Sequence, residues 1–145
     1  MHDTSTALIE AFACTWFGMV AAISFLEAPL KFRAPGVTIA IGLGIGRLVF
    51  RALNLVEAVL AVALVVTVAV GRPETAATVL AAVAVVTLVI QLVGIRPALN
   101  RRTDRVRTAA DPDSVPRSHT HFAYIATELL KLGVLLALGV VTVAG

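Results

Sequence analysis

Charge is scarce in this sequence. Of 145 residues, 12 are lysine or arginine and 9 are aspartate or glutamate, so 14% are charged, against about 25% in a typical soluble domain. A soluble fold of this length would lack the polar surface to cover its core. Cysteine is nearly absent as well. Cys14 stands alone, which excludes an intrachain disulfide and a thiolate metal cluster. The residues before the Ala-Phe-Ala-Cys run that ends at Cys14 include Asp3 and Glu10 but no lysine or arginine. The basic region of a signal peptide is therefore missing, and the first apolar segment is read as a retained span. Low-complexity tracts and internal repeats are lacking too.

Apolar residues are abundant. They make up 59% of the chain and fall in long unbroken runs, which point to membrane spans more than to core helices. Four such runs are expected as helices of one transmembrane domain over residues 1–145, at about 6–30, 37–70, 74–95 and 118–143. The second would be roughly 50 Å long against a hydrocarbon core of about 30 Å, so its first turns, with Arg47, should extend past the bilayer. Pro73 and Glu74 suit the start of the third helix. That helix is expected to stop at Arg96-Pro97 and give way to an irregular basic loop over 96–117, with Asp111-Pro112-Asp113 and Val115-Pro116 inside it.

Arg96, Arg101, Arg102, Arg105, Arg107 and Arg117 cluster in that loop. Between two spans, such a cluster reads as a cytoplasmic loop obeying the positive-inside rule and not as a nucleic-acid site. Lys31, Arg33 and Arg47 mark the first connection in the same way, whereas the second holds only Arg72. Both termini are accordingly expected outside. The expected fold is an all-α integral membrane four-helix bundle.

Ionisable residues inside spans are costly and mark sites by default. On the second helix, Arg47, Arg51, Asn54 and Glu57 are spaced 4, 3 and 3 residues apart and share a face. On the fourth, His121, Tyr124, Glu128 and Lys131 do the same with spacings of 3, 4 and 3. If these helices pack together, the stripes can satisfy each other, as a ligand or ion site or as a network that fixes helix register. Glu27 pairs with Lys31 four residues on, and Ser24 lies a turn before it. Gln91 is the one strongly polar side chain in the lower third helix, which otherwise reads as an apolar wall. Trp16 and Phe17 read as packing or lipid contacts. His121 and Glu128 are candidate metal ligands, although seven residues separate them by roughly 10 Å along a helix, and other carboxylates would have to close the shell. Gly42-Leu-Gly-Ile-Gly46 lacks a following Lys-Ser/Thr and a preceding strand, so it suits close helix approach and not phosphate binding; Gly133-xxx-Ala137 reads likewise.

Trp16-Phe-Gly-Met, Phe25-Leu-Glu-Ala-Pro-Leu-Lys-Phe-Arg33, the Gly-Ile-Gly-Arg-Leu-Val-Phe run ending at Phe50, Arg96-Pro-Ala-Leu-Asn with its arginine-rich sequel, and His121 with Glu128 and Lys131 occur in an order that resembles a bacterial domain-of-unknown-function family related to the eukaryotic transmembrane protein 205. The resemblance spans nearly the whole chain. It implies a four-helix protein of the bacterial cytoplasmic membrane and transfers no catalytic residues. Arg47, Arg51, Ala52, Asn54 and Glu57 also resemble the second helix of the membrane-associated eicosanoid and glutathione metabolism family. Here the second arginine is shifted by one position, and that family's tyrosine- and arginine-rich third helix has no counterpart.

The function expected from these features is a polar intramembrane site for a small ligand or ion, with permeation or export as its task. Arg47, Arg51 and Asn54 would form the mouth; Glu57, Glu128 and Lys131 the core; His121 a proton or metal handle. Four helices make a narrow path, so a homo-oligomer or a membrane partner is expected. The other classes are a membrane enzyme acting on a lipophilic substrate with an anionic cofactor, Arg51 orienting the anionic group, and an accessory subunit of a larger membrane complex.

Overall fold

The structure, a computed structural model, describes residues 4–111, 114 and 119–144. Four long helices account for nearly all of them: α1 (Thr4–Arg33), α2 (Ile39–Gly71), α3 (Thr75–Thr108) and α4 (His119–Ala144), each long and apolar enough to cross a membrane. Their ends follow from local chemistry. Thr38, in extended backbone, caps α2 by accepting a hydrogen bond from the Ile41 N–H at 3.3 Å. Past Gly71, Arg72 turns left-handed (φ 46°) and returns its N–H to the Val68 carbonyl, after which Pro73 bars further helix.

The helices pack in a ring. α1 lies against α2 and α4, α3 lies against α4 and α2, and α2 and α4 face each other across the diagonal. The core on α1 is Ile9, Ala13, Trp16 and Val20, spaced 4, 3 and 4. On α3 it is Ala77, Ala81, Ala84 and Leu88, whose small side chains let α4 approach closely. Leu135 and Leu138 fill the centre from α4. The outer surface is the apolar one: Leu48, Leu55, Val70 and Val93 are each at least 68% exposed. In water such a surface would drive association; toward lipid it is simply the side facing the solvent.

Chain direction sorts the bundle into two ends. The α1–α2 and α3–α4 connections share one end, with Lys31, Arg33 and Arg96 near it. The Arg72–Glu74 hairpin lies at the other.

Two helices are widened at one place each. In α1, residues Ala22–Glu27 form a π-helical turn, closed by the Ala28 N–H on the Ile23 carbonyl; in α3, Gln91–Ile95 does so, closed by the Arg96 N–H on the Gln91 carbonyl. Each turn ends two residues before a proline, Pro29 or Pro97. Proline lacks the N–H for an i→i−4 bond and its ring clashes with the carbonyl four residues back. A widened turn relieves that clash and lets the helix run on. The expected stop at Arg96-Pro97 is therefore corrected: α3 continues through Pro97 to Thr108, and most of the arginine cluster is helical. Of the rest of the expected loop, residues 112–113 and 115–117, with Arg117, lie outside the described residues.

Candidate functional site

A polar network fills the middle of the bundle. Lys131 is wholly buried, and its ammonium reaches three acceptors: Glu57 Oε1, Gln91 Oε1 at 2.7 Å and Glu128 Oε1 at 2.9 Å. An ammonium has three donors, and all three are used. Trp16 donates its indole N–H to Glu57 Oε1 at 2.8 Å. Gln91 Nε2 donates to Glu128 Oε1 at 2.6 Å and to Thr127 Oγ1 at 3.0 Å. Ser24 donates to Glu128 Oε2 at 2.7 Å. Every helix thus contributes. Such satisfaction is what makes a charged cluster tolerable in apolar surroundings, where a donor without a partner costs several kcal/mol. Ser24 and Gln91 sit on the two widened turns, so both π-turns converge on the carboxylate of Glu128.

Above this network, toward the basic end, lies a cavity of about 450 Å³. Glu128, Ser24 and Tyr124 face it from below. Its polar wall carries Lys31, Arg47, Arg96 and Arg102, and its apolar wall carries Phe25, Phe32, Phe50 and Ile125. Every lining residue from α1 and α3 lies within or beyond a widened turn. Gly42 and Gly46 of α2 make room for two of these side chains: a Cβ at residue 42 would fall 2.6 Å from Phe32 Cδ1, and one at residue 46 would fall 2.7 Å from Lys31 Nζ. The small-residue spacing thus serves side-chain access from α1.

The cations differ in how they are matched. Arg47 makes a two-pronged pair with Asp104, at 2.5 and 3.3 Å. Lys31 pairs with Glu27 at 3.3 Å, as the spacing predicted. Arg96 is half-buried over the Phe50 ring, 5.4 Å from its centroid, and close enough to Glu57 and Glu128 to interact with both charges. Arg102 has a buried Nε with no hydrogen-bond partner.

Of the residues expected at the site, Glu57, Glu128 and Lys131 meet in the network. Tyr124 is buried against Phe50, edge to face at 5.5 Å, and lines the cavity with Arg47 and His121. Arg51 is exposed and outside the cavity lining; Asn54 is half-buried and also outside it. The facing stripes are corrected in one respect: α2 and α4 are diagonal, and Lys131 reaches Glu57 because its side chain spans the interior. His121 and Glu128 both line the cavity, but among the described residues no group of three or more His, Cys, Asp or Glu side chains could hold a metal ion.

Trp16, Gln91, Arg96 and Arg102 are the site residues that sequence reasoning assigned elsewhere. α3 is no apolar wall, since Gln91 bridges Lys131 and Glu128. A lone amide in an apolar helix was the available signal. For Trp16 it was membership of the buried Ile9-to-Val20 stripe. For Arg96 it was the shared helical face with Leu99, Asn100 and Thr103, visible only if the helix is allowed past Pro97. The chain was also compared with family models, with curated proteins and with solved structures, and none of them matches it.

Proposed function

We propose that this is a small multi-pass membrane protein that binds a small ligand inside the bundle, in the cavity between the basic end and Glu128. One observation carries the reading: a cavity of about 450 Å³ ends on a buried, hydrogen-bonded carboxylate. That volume lies in the range of small-molecule sites, which pair an apolar wall with a few fixed polar groups. Convergence of two π-turns on Glu128 supports it, because such turns concentrate at functional positions. The excess of basic residues at the cavity's end of the bundle supports a cytoplasmic placement for that end and for the cavity, with both termini outside; a bacterial plasma membrane is part of the proposal.

Below Glu128 the path is closed by Lys131, Glu57 and Trp16 and by the leucines of the core. Within one chain the cavity is blind. Binding from one side is the primary act, and passage across the membrane would follow only if the network opened. A density map of the protein purified in native lipid tests the reading. Density for a discrete molecule against Glu128 and the arginines is expected; a cavity holding only water would overturn it.

A further inference from the structure

The ligand class can be read from charge and shape, on the assumption that the cavity binds a ligand at all. Lys31 and Arg47 each have a carboxylate of their own, Glu27 and Asp104. Deeper in, Lys131 is paired with both Glu57 and Glu128, and Arg96, which forms no ion pair, shares their field at longer range, so the charges there balance two against two. One cation is then in excess, and the unmatched buried donor belongs to Arg102. It lines the cavity, its Nε is buried without a partner, and no carboxylate pairs with it among the described residues. A buried donor without an acceptor is destabilising, and guanidinium suits a planar or tetrahedral oxyanion. The remainder of the wall is aromatic and aliphatic.

We propose that the cavity takes an amphipathic anion bearing a single negative charge on an apolar body, with the oxyanion at Arg102 and the body against Phe25, Phe32 and Phe50. One negative charge neutralises the site; a second would lack a partner. A cationic ligand meets four cations on the wall and a Glu128 already occupied by Lys131, Gln91 and Ser24. The oxyanion can belong to a free carboxylic acid or to the phosphodiester of a lipid headgroup, which present the same charge.

Trp16, the only tryptophan, supplies a reporter. The protein is placed in phosphatidylcholine nanodiscs, and energy transfer from Trp16 to the fluorescent fatty acid cis-parinarate is titrated beside its uncharged methyl ester. Saturable transfer to the acid is expected, with the ester bound about tenfold or more weakly. Arg102→Gln should weaken the acid by about tenfold to a hundredfold, the scale of a charge-assisted hydrogen bond. Arg102→Lys, which keeps the charge, should lose less, and Arg101→Gln, on the exposed side of the helix, should change nothing. Phosphatidylglycerol displacing the acid would identify a lipid phosphate as the source; displacement by free acids alone would identify a carboxylate. Saturable binding of acid and ester alike, or no loss in Arg102→Gln, overturns the anion and leaves the binding site standing. Saturable binding of neither overturns both.

Discussion

Lys131→Met keeps most of the length of the side chain, which is unbranched and one atom shorter, and removes its charge. The substitution leaves Gln91 Oε1 without its donor and takes the counter-ion from Glu57 and Glu128. Two estimates of the cost differ enough to be told apart. If only three intramembrane hydrogen bonds mattered, each at the roughly 0.6 kcal/mol average for such bonds, the loss would be about 2 kcal/mol. If a stranded charge matters, removing one partner of a buried pair costs about 3–5 kcal/mol. The larger value is expected, because Lys131 is 0% exposed and Glu57 and Glu128 are each 1% exposed, leaving water little access. The assay is unfolding in mixed micelles with increasing dodecyl sulfate, followed by helical circular dichroism and by Trp16 emission, which reports directly on Glu57. A second variant isolates the charge. Glu57→Gln combined with Lys131→Met restores one carboxylate to one cation, Glu128 to Arg96, and should recover about 1–3 kcal/mol of the loss. A single variant that loses about 2 kcal/mol or less, or a double variant no milder than the single, would refute the reasoning.

Three other outcomes are expected from the same unfolding assay. Trp16→Phe removes the indole donor to Glu57 and should cost about 1–2 kcal/mol, judged by circular dichroism; no loss would mean the bond is idle. Gly42→Ala drives a Cβ into the Phe32 ring and should cost about 1–3 kcal/mol, whereas Gly46→Ala meets only the mobile end of Lys31 and should cost less; equal costs would contradict the packing described. Arg72→Gly removes a left-handed, Cβ-bearing residue from the α2 cap and should stabilise by about 0.5–1 kcal/mol, less if the added chain entropy offsets it.

Much of this molecule is legible in its sequence for a simple reason. A bilayer has no water to satisfy backbone groups, so each span must be a long apolar helix, and the four runs announce themselves. Glu57, Glu128 and Lys131 were equally visible, since an ionisable group stands out in an apolar segment. Other parts were hidden by physics that hydropathy does not record. Trp16 is mostly apolar, so its indole N–H leaves the apolar pattern intact, and Gln91, visible as a lone amide, carries no charge that would name a partner on another helix. Periodicity gives the face a residue occupies but not the helix opposite, so the diagonal placement of α2 and α4 could not be counted out. Pro97 read as a terminator because proline usually is one; that it follows a widened turn is a matter of hydrogen-bond register, which residue spacing alone does not reveal. Without that register, Arg96 and Arg102 belonged to a loop.

The two widened turns have a consequence for which changes the chain can accept. Each turn holds one more residue than the α-helical turn it replaces, which sets everything beyond it out of phase by about 100° and displaces it by about 1.5 Å. Phe25, Phe32, Arg96 and Arg102 face the cavity only in that shifted phase. If either turn tightened to α-helical register at constant length, its cavity wall would swing by about 100° toward lipid; loss of one residue from the turn would instead close it and leave the wall in place. Helicity and ligand binding should both survive loss of a turn residue whose side chain makes no polar contact, such as Ile23 or Val93, and a circular dichroism spectrum beside a binding titration would show it. Each widened turn thus holds one spare residue deep in the membrane, which the fold can give up without moving the side chains that line the site.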